Sequence, residues 1–173
     1  MDRQQVTRII ETYGATLYKI ALIRVKNVED AEDVVQEVFC QYMKYHKEFE
    51  SEEHEKAWFI KVTLNACKKI YRTAWYKHRG ELPEEEFLKI ETDNGKPEME
   101  YLKQEESRRL MQAVFSLPAK YRDVIHLFYY EEMSVREIAA ILNRQESTVT
   151  SQLTRARNIL KKNLGEDYQF EEL

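Results

Sequence analysis

The sequence predicts an all-α protein built from two small helical domains that are joined by a flexible acidic linker. Apolar residues recur at three- and four-residue spacing along most of the 173 residues, which is typical of amphipathic helices. The chain contains only four glycines and three prolines, too few for the many turns of an all-β fold. A charged fraction of 34% beside 43% hydrophobic residues is typical of a helical globular protein.

The first domain, residues 1–79, begins with two amphipathic helices. We expect Asn27 to close the first helix, whose apolar stripe is Val6, Ile9, Ile10, Tyr13, Leu17, Ile20 and Ala21. The acidic run Glu29–Asp33 favours the N-terminus of the second helix, because the helix dipole attracts negative charge there. The second buried stripe is expected to be Ala31, Val34, Val35, Val38, Phe39 and Tyr42.

The third helix is predicted from about Glu55 to Lys77 and has two chemically distinct faces. Its apolar residues cover one half of the helix. The opposite side gathers the polar and basic residues Lys61, Asn65, Lys68, Lys69 and Arg72, and Trp58 and Tyr76 lie at its border. Such a surface suits phosphates and unpaired bases. A solvated lysine face beside ordinary core aromatics is the alternative interpretation.

The linker is predicted at residues 80–104. Four of the seven glycines and prolines fall there, within the stretch GELPEEEFLKIETDNGKPEMEY. This stretch is acidic and has no sustained helical period, so it is expected to be flexible. Some fifteen structureless residues are too many for the interior of one compact domain, which is why we place a domain on each side.

The second domain, residues 105–173, is predicted to contain a helix-turn-helix. A helix over Tyr101–Phe115 leads into the domain, and Pro118 opens the next helix. Ser134 and Glu137 have the spacing of a capping box, which starts a short helix. Asn143 tolerates the left-handed backbone needed for a sharp turn, and a basic amphipathic helix follows to Leu164. Two helices packed in an ordinary bundle are the alternative.

Charge is strongly segregated along the chain although the net charge is only −4. Residues 27–55 carry a net −8, residues 56–79 carry +7, and residues 80–106 carry −7. Residues 134–162 carry +4. This pattern predicts separate surfaces for partners of opposite charge.

The sequence shows no sign of a catalytic or metal site. It has no glycine-rich phosphate loop, no nucleophile elbow and no His/Cys cluster with metal-ligand spacing, so we expect neither cofactor nor enzymatic activity. Cys40 and Cys67 are expected to be reduced thiols on buried helix faces, and Glu48–Glu55 a solvated loop. Without a long apolar run or a signal-like start, we expect a cytoplasmic protein with no membrane insertion.

Three segments in this order resemble bacterial extracytoplasmic-function (ECF) sigma factors of the sigma-70 family. They are AEDVVQEVF at 31–39, AWFIKVTLNACKKIYR at 57–72, and the stretch from LPAKYRDVIHLF at 117 to LTRARNIL at 160. The resemblance implies a subunit that binds core RNA polymerase and directs promoter-specific initiation, in a stress or signal response. It also implies an anti-sigma factor as a partner.

The resemblance also assigns roles to individual residues. The clamp region of the polymerase would dock on Asp30, Asp33, Gln36 and Glu37, and the flap region of the polymerase is a further expected contact. The melted minus-ten strand would contact Trp58, Lys61, Asn65, Lys68, Lys69 and Arg72. The minus-thirty-five duplex would contact Arg144, Ser147, Thr148, Thr150, Ser151, Gln152, Arg155 and Arg157. The linker resembles a segment that threads toward the polymerase cleft.

The turn of the helix-turn-helix departs from the family pattern. Arg144 replaces an apolar turn residue, and Gln145 replaces a good N-cap. Thr150 and Gln152 stand where Lys and Arg are common, so we expect altered duplex contacts, and Gln152 is able to pair with adenine.

Two other functions remain open on the sequence alone. One is a stand-alone helix-turn-helix regulator, which typically binds duplex DNA as a dimer without polymerase. The other is a helical interaction protein that mimics a sigma factor and blocks its partner. The basic third helix counts against this mimic, because a mimic has no need to hold single-stranded DNA.

Overall fold

The computed structural model describes residues 3–45, 47–72 and 100–165, and every regular element in them is helical. The chain divides into two compact units, Met1–Leu82 and Pro83–Leu173. The all-α class and the two helical domains are therefore confirmed. No helix among the described residues is long and apolar enough to cross a membrane.

The first unit is built from three helices, each packed against the other two. They are α1 (Arg3–Val25), α2 (Val28–Tyr45) and α3 (Glu52–Arg72). Their apolar faces meet in a core whose largest fully buried side chains include Ile9, Leu17, Tyr42, Phe59 and Ile60. Since each helix covers the apolar stripe of the other two, the polar faces of α2 and α3 are left outward.

Two predicted details of α1 are wrong. Ile10 is 46% exposed, because it lies outside the buried stripe that Ile9, Tyr13 and Leu17 form. Asn27 does not close α1; Lys26 does so, in the left-handed conformation with φ 53°. The Asn27 side chain instead accepts a hydrogen bond from the backbone N–H of Asp30 at 3.0 Å, which caps the start of α2.

The second unit contains α4 (Glu100–Ser116), α5 (Ala119–Ile125), α6 (Val135–Leu142) and α7 (Glu146–Leu164). The helix α5 continues as a π-helical turn, His126–Tyr130, in which the N–H of Glu131 donates to the carbonyl of His126 at 3.2 Å. The long helix α7 packs against α4, α5 and α6 through Val149, Leu153, Ala156 and Leu160. This packing fixes which side of α7 faces solvent.

The predicted linker lies largely outside the described residues, as does the predicted end of the third helix at Lys77. Helix α4 begins at Glu100, inside the range 80–104 that we assigned to the linker. The exact domain limits, 1–79 and 105–173, stay a prediction.

Candidate nucleic-acid and polymerase interfaces

The outer face of α3 carries the predicted basic stripe. All five of its polar residues are exposed: Lys61, Asn65, Lys68, Lys69 and Arg72. The opposite face, with Phe59, Ile60 and Cys67, is completely buried against α1 and α2. The predicted division of α3 into two faces is thus confirmed, and a single rigid helix positions four cations beside one another.

Trp58 is part of an aromatic cluster and does not stand freely at the edge of that stripe. Its ring lies 5.6 Å from the ring of Phe49 and 6.2 Å from that of Tyr42, and it contacts Phe59 edge-on at 5.1 Å. The ammonium of Lys47 lies 5.5 Å from the Trp58 ring centroid. Trp58 is half-buried, so its first role is packing. Part of its surface still borders the α3 stripe.

An ion pair between the half-exposed Arg8 and the buried Glu55 lies beside this cluster. The Arg8 guanidinium donates to Glu55 at 3.0 Å, and the Tyr13 hydroxyl donates to the same carboxylate at 3.0 Å. Burial and the neighbouring carboxylate raise the pKa of Tyr13 to about 12. The expectation that Glu55 belongs to a solvated loop is wrong, because Glu55 is only 6% exposed and lies inside α3.

The predicted docking face on α2 is only partly exposed. Asp33 and Gln36 face solvent. Asp30 does not, since it is 6% exposed and lies in the first turn of α2 beneath the Asn27 cap. Its assignment as a docking residue is therefore corrected: its carboxylate is not available to a partner on this surface.

Glu37 connects the acidic and basic surfaces. Its carboxylate accepts a hydrogen bond from the Lys69 ammonium at 2.7 Å and another from Gln41 at 3.0 Å. The Lys69 bond holds the pKa of Glu37 below its usual value of 4.5. The charge pattern predicted two separate surfaces; the structure brings one member of each into contact.

The helix-turn-helix forms as its capping residues predict. Ser134 and Glu137 make both hydrogen bonds of a capping box. The Ser134 hydroxyl accepts from the Glu137 backbone N–H at 3.2 Å, and the Glu137 carboxylate accepts from the Ser134 backbone N–H at 2.8 Å. Asn143 is left-handed, with φ 53° and ψ 53°. The N-cap of α7 is Gln145, whose side chain makes no capping bond. The turn is therefore sharp, while the first turn of α7 lacks a side-chain cap.

Five of the predicted duplex-contacting residues are exposed on α7: Ser147, Thr148, Thr150, Ser151 and Arg155. Their hydroxyl groups and one guanidinium form a polar surface along one side of α7. The major groove of B-DNA is wide enough to admit an α-helix. The N-terminal half of α7, where four of the five lie, is the part that reaches base edges in helix-turn-helix proteins.

Arg157 is turned away from that surface. Its Nε donates to the Tyr129 hydroxyl at 2.6 Å, and its guanidinium lies 5.5 Å from the ring centroids of Phe128 and Tyr129. Because this side chain joins α7 to the π-helical turn, its assignment to DNA is corrected to a packing role.

Arg144 and Gln152 are also engaged within the protein. The Arg144 Nη1 donates to the Gln152 Oε1 at 2.8 Å, and its other terminal nitrogen lies 4.0 Å from the Asp123 carboxylate. Sequence reasoning treated these two residues as separate contacts. Arg144 and Gln152 are eight residues apart, on either side of the start of α7, and this spacing is the sequence signal that could have predicted their contact.

Other polar groups lie outside the predicted sets. Lys47, Arg8 and Glu55 line a cleft of about 680 Å³ beside Phe49 and Tyr42. Cys67 is buried as expected, whereas Cys40 is exposed, contrary to expectation. Among the described residues, no group of three or more His, Cys, Asp or Glu side chains is arranged to hold a metal ion.

Comparison with known protein families follows the same division. The sigma-70 region 2 model matches residues 9–76, and the sigma-70 region 4 model matches residues 107–160. Together these ranges span most of the chain and contain the basic face of α3 and the helix-turn-helix. The fold and its two polar helices are therefore those of a sigma-70 type protein.

Individual relatives narrow the assignment. The chain is 30% identical over 169 residues to the ECF RNA polymerase sigma factor SigW of Bacillus subtilis (strain 168), covering 94% of this chain and 90% of SigW. It is 26% identical over 166 residues to the RNA polymerase sigma factor SigV of the same strain, covering 93% and 95%. The chain belongs to the ECF group of the sigma-70 family, the RNA polymerase sigma factors.

Two solved structures share the fold. The sigma factor RpoE from Bartonella quintana, crystallised with the anti-sigma factor NepR, matches with a TM-score of 0.72 and 20% identity, over 95% of this chain and 99% of that one. CnrH, in complex with the cytosolic domain of CnrY, matches with a TM-score of 0.65 and 22% identity, over 96% and 92%.

Proposed function

We propose that this sigma factor divides promoter recognition among three helix faces and performs no chemistry of its own. The outer face of α3 holds the melted minus-ten strand, the exposed residues of α7 read the minus-thirty-five duplex, and α2 docks core polymerase. Phosphodiester synthesis belongs to the polymerase. The protein acts in the cytoplasm, where it initiates transcription in response to a stress or signal.

The observation that carries this proposal is the exposed basic face of α3, in a different unit from the helix-turn-helix. The face presents Lys61, Lys68, Lys69 and Arg72 beside an aromatic cluster. Single-stranded DNA needs this combination, because cations bind its phosphates and aromatic rings stack on its bases. A stand-alone helix-turn-helix regulator needs only α6 and α7 for duplex DNA. The second surface therefore favours a sigma factor.

The polymerase face is proposed at Asp33, Gln36 and Glu37. Asp33 and Glu37 are negatively charged and lie in a strongly acidic segment, so this face repels DNA and attracts the basic side chains of a protein partner. The structures of relatives with an anti-sigma factor support a similar partner here. Such a partner would have to cover α2, the α3 stripe or α7 to block initiation.

The experiment is transcription from promoter fragments with purified core polymerase. Replacing Lys68, Lys69 and Arg72 by Ala should reduce open-complex formation, measured by permanganate reactivity of the melted strand, while binding to core polymerase is retained. Replacing the exposed Arg3, Lys44 and Arg136 by Ala removes the same number of positive charges elsewhere and is the control for loss of charge. Equal loss of melting and of polymerase binding would contradict the division of surfaces. Sequence-specific duplex binding without polymerase, to which polymerase adds nothing, would favour the stand-alone regulator.

A further inference from the structure

We propose that Arg144 is a positioning residue, which makes Gln152 a hydrogen-bond donor toward the DNA duplex. The proposal rests on the proposed role of α7 in reading the minus-thirty-five element. Arg144 and Gln152 are then a coupled pair and not two independent DNA contacts. Arg144, in the turn, determines which hydrogen-bonding groups Gln152 on α7 presents to the bases.

The chemistry of the pair determines the orientation of the amide. A guanidinium has five N–H donors and no acceptor, so only the oxygen of the Gln152 amide can face it. The Arg144 Nη1 lies 2.8 Å from that oxygen. The two amide hydrogens of Gln152 therefore point away from Arg144.

Arg144 is itself held in place from a second helix. Its Nη1 also approaches the backbone carbonyl of Lys120 at 3.4 Å, and its Nη2 lies 4.0 Å from the buried carboxylate of Asp123, both on α5. The Arg144 side chain is only 23% exposed. A guanidinium held by a carboxylate, a carbonyl and an amide oxygen is more restricted than a surface arginine, because each partner removes rotamer freedom.

Gln152 lies beside the surface assigned to the duplex. It is half-buried at the border of the exposed polar face, one helical turn after Thr148 and one turn before Arg155. An unconstrained glutamine pairs with adenine by accepting from N6 and donating to N7. The Gln152 oxygen has two lone pairs, and the bond from Arg144 occupies one of them and fixes the direction of the amide. We therefore expect Gln152 to present its N–H donors to the duplex instead of making the two-bond pair with adenine.

A donor reads a different set of bases. Guanine presents two acceptors in the major groove, adenine and thymine present one each, and cytosine presents only a donor. We therefore expect one position of the minus-thirty-five element to favour guanine and to exclude cytosine. The earlier expectation of an adenine contact is revised by the position of Arg144.

The experiment selects promoter duplexes with a randomised minus-thirty-five element, using holoenzyme assembled from the full chain. At one position, we expect guanine to be preferred over cytosine by about tenfold. Arg144→Met, which fills the same space without a donor, should reduce that ratio below about threefold and raise the share of adenine at the same position. Arg144→Lys keeps a donor and should restore the preference.

Gln152→Glu gives a second test that does not depend on removing Arg144. The carboxylate still pairs with the guanidinium, but its remaining oxygen accepts and cannot donate, so the preferred base should change from guanine to cytosine. This variant keeps the side-chain volume and gains an ion pair, so folding is preserved.

Three outcomes would overturn the proposal. Arg144→Met could weaken all sequences equally, which is the behaviour of a phosphate contact. The Gln152→Glu variant could leave every position unchanged. Either result, with wild-type holoenzyme still selecting a minus-thirty-five sequence, refutes only the coupled pair. If the wild type selects no base there, the proposed function of α7 fails as well.

Discussion

The ammonium of Lys69 on α3 lies 2.7 Å from a carboxylate oxygen of Glu37 on α2. This contact joins the helix assigned to melted DNA with the helix assigned to polymerase. The two side chains are 66% and 43% exposed, so the pair is worth only ~0.2–1 kcal/mol and is screened by salt. If Lys69 contacts DNA as proposed, Glu37 competes with the phosphates for Lys69 in the free protein.

Removing the Glu37 charge should therefore increase DNA binding by the free chain. We expect Glu37→Gln to raise the affinity for a single-stranded oligonucleotide about two- to fivefold at low salt, because Lys69 no longer has a carboxylate partner. Fluorescence anisotropy with a labelled oligonucleotide measures the change, which should shrink as salt is added.

Glu32→Gln is the matched control for this prediction. Glu32 is exposed on the same helix, and its substitution changes the net charge by the same amount. An equal gain in both variants would show a general effect of charge rather than competition within the Lys69 pair.

The hydrogen bond from Tyr13 to Glu55 predicts a stability change at alkaline pH. Burial and the Glu55 carboxylate raise the pKa of Tyr13 from 10.0 to about 12 in the folded protein. Because the folded value is the higher one, this contribution to the free energy of unfolding is complete below pH 10 and is lost as the pH rises toward 12. Tyr13→Phe should reduce stability by about 1.5–3 kcal/mol at neutral pH, since a hydrogen bond to a buried carboxylate is removed.

Urea unfolding at steps from neutral pH to pH 12 measures this dependence. The difference in the free energy of unfolding between wild type and Tyr13→Phe should narrow between pH 10 and pH 12. Tyr45→Phe is the control, because Tyr45 is 64% exposed and its substitution should leave the stability almost unchanged at all pH values. A constant difference between the wild type and Tyr13→Phe would mean that the Tyr13 hydroxyl has the same pKa in the folded and unfolded states, so that folding does not raise it.

Much of the fold could be predicted because its signals are local. Helical spacing reports which face of a helix is buried, as α3 shows, since a side chain's direction depends only on its position along the helix. The capping box at Ser134 and the left-handed Asn143 are also local, because each satisfies backbone groups within three or four residues. These features lie within one element, and the structure reproduces them.

The misassigned residues depend on contacts between elements. Glu55 was placed in a solvated loop since its neighbours are acidic, but Arg8 and Tyr13 are more than forty residues away along the chain. Arg157 has the helical position of a surface cation, yet Tyr129 on another element captures it. A charged side chain near the edge of a buried stripe can face solvent or pack against another element. Its tertiary partners determine which of the two occurs.

The two arginines near the middle of α7 should differ in what they affect. Arg157→Ala removes the bond to the Tyr129 hydroxyl and the packing on Phe128, so the free energy of unfolding should fall by about 1–3 kcal/mol. Arg155→Ala removes an exposed cation, so stability should change by less than about 0.5 kcal/mol. Binding of the Arg155→Ala holoenzyme to duplex promoter DNA should weaken. The slope of log K against log[salt] should become less steep by about one, because one phosphate contact is lost.

Thermal unfolding and binding measured over a range of salt separate these effects. Comparison is made at a temperature where both variants are folded. If Arg157→Ala lowers DNA affinity and salt dependence as strongly as Arg155→Ala does, the side chain leaves Tyr129 to contact phosphate, and the packing role assigned here is wrong.

The start of α7 lacks a side-chain cap and should therefore be open to stabilisation. Gln145 occupies the N-cap with φ −74° and ψ 148° and makes no capping bond, although this extended backbone suits a capping residue. Gln145→Ser should raise the free energy of unfolding by about 0.5–1.5 kcal/mol, because its hydroxyl can accept an otherwise unpaired N–H in the first turn. Ser134→Ala, which removes the existing capping box of α6, should lower it by about 1 kcal/mol.

Urea unfolding of the two single variants and the double variant measures both effects, which should add because the caps share no partner. Gln145→Ala is the matched control, since it shortens the side chain without supplying an acceptor; stabilisation by Ala equal to that by Ser would show that loss of the glutamine, rather than a new cap, is responsible.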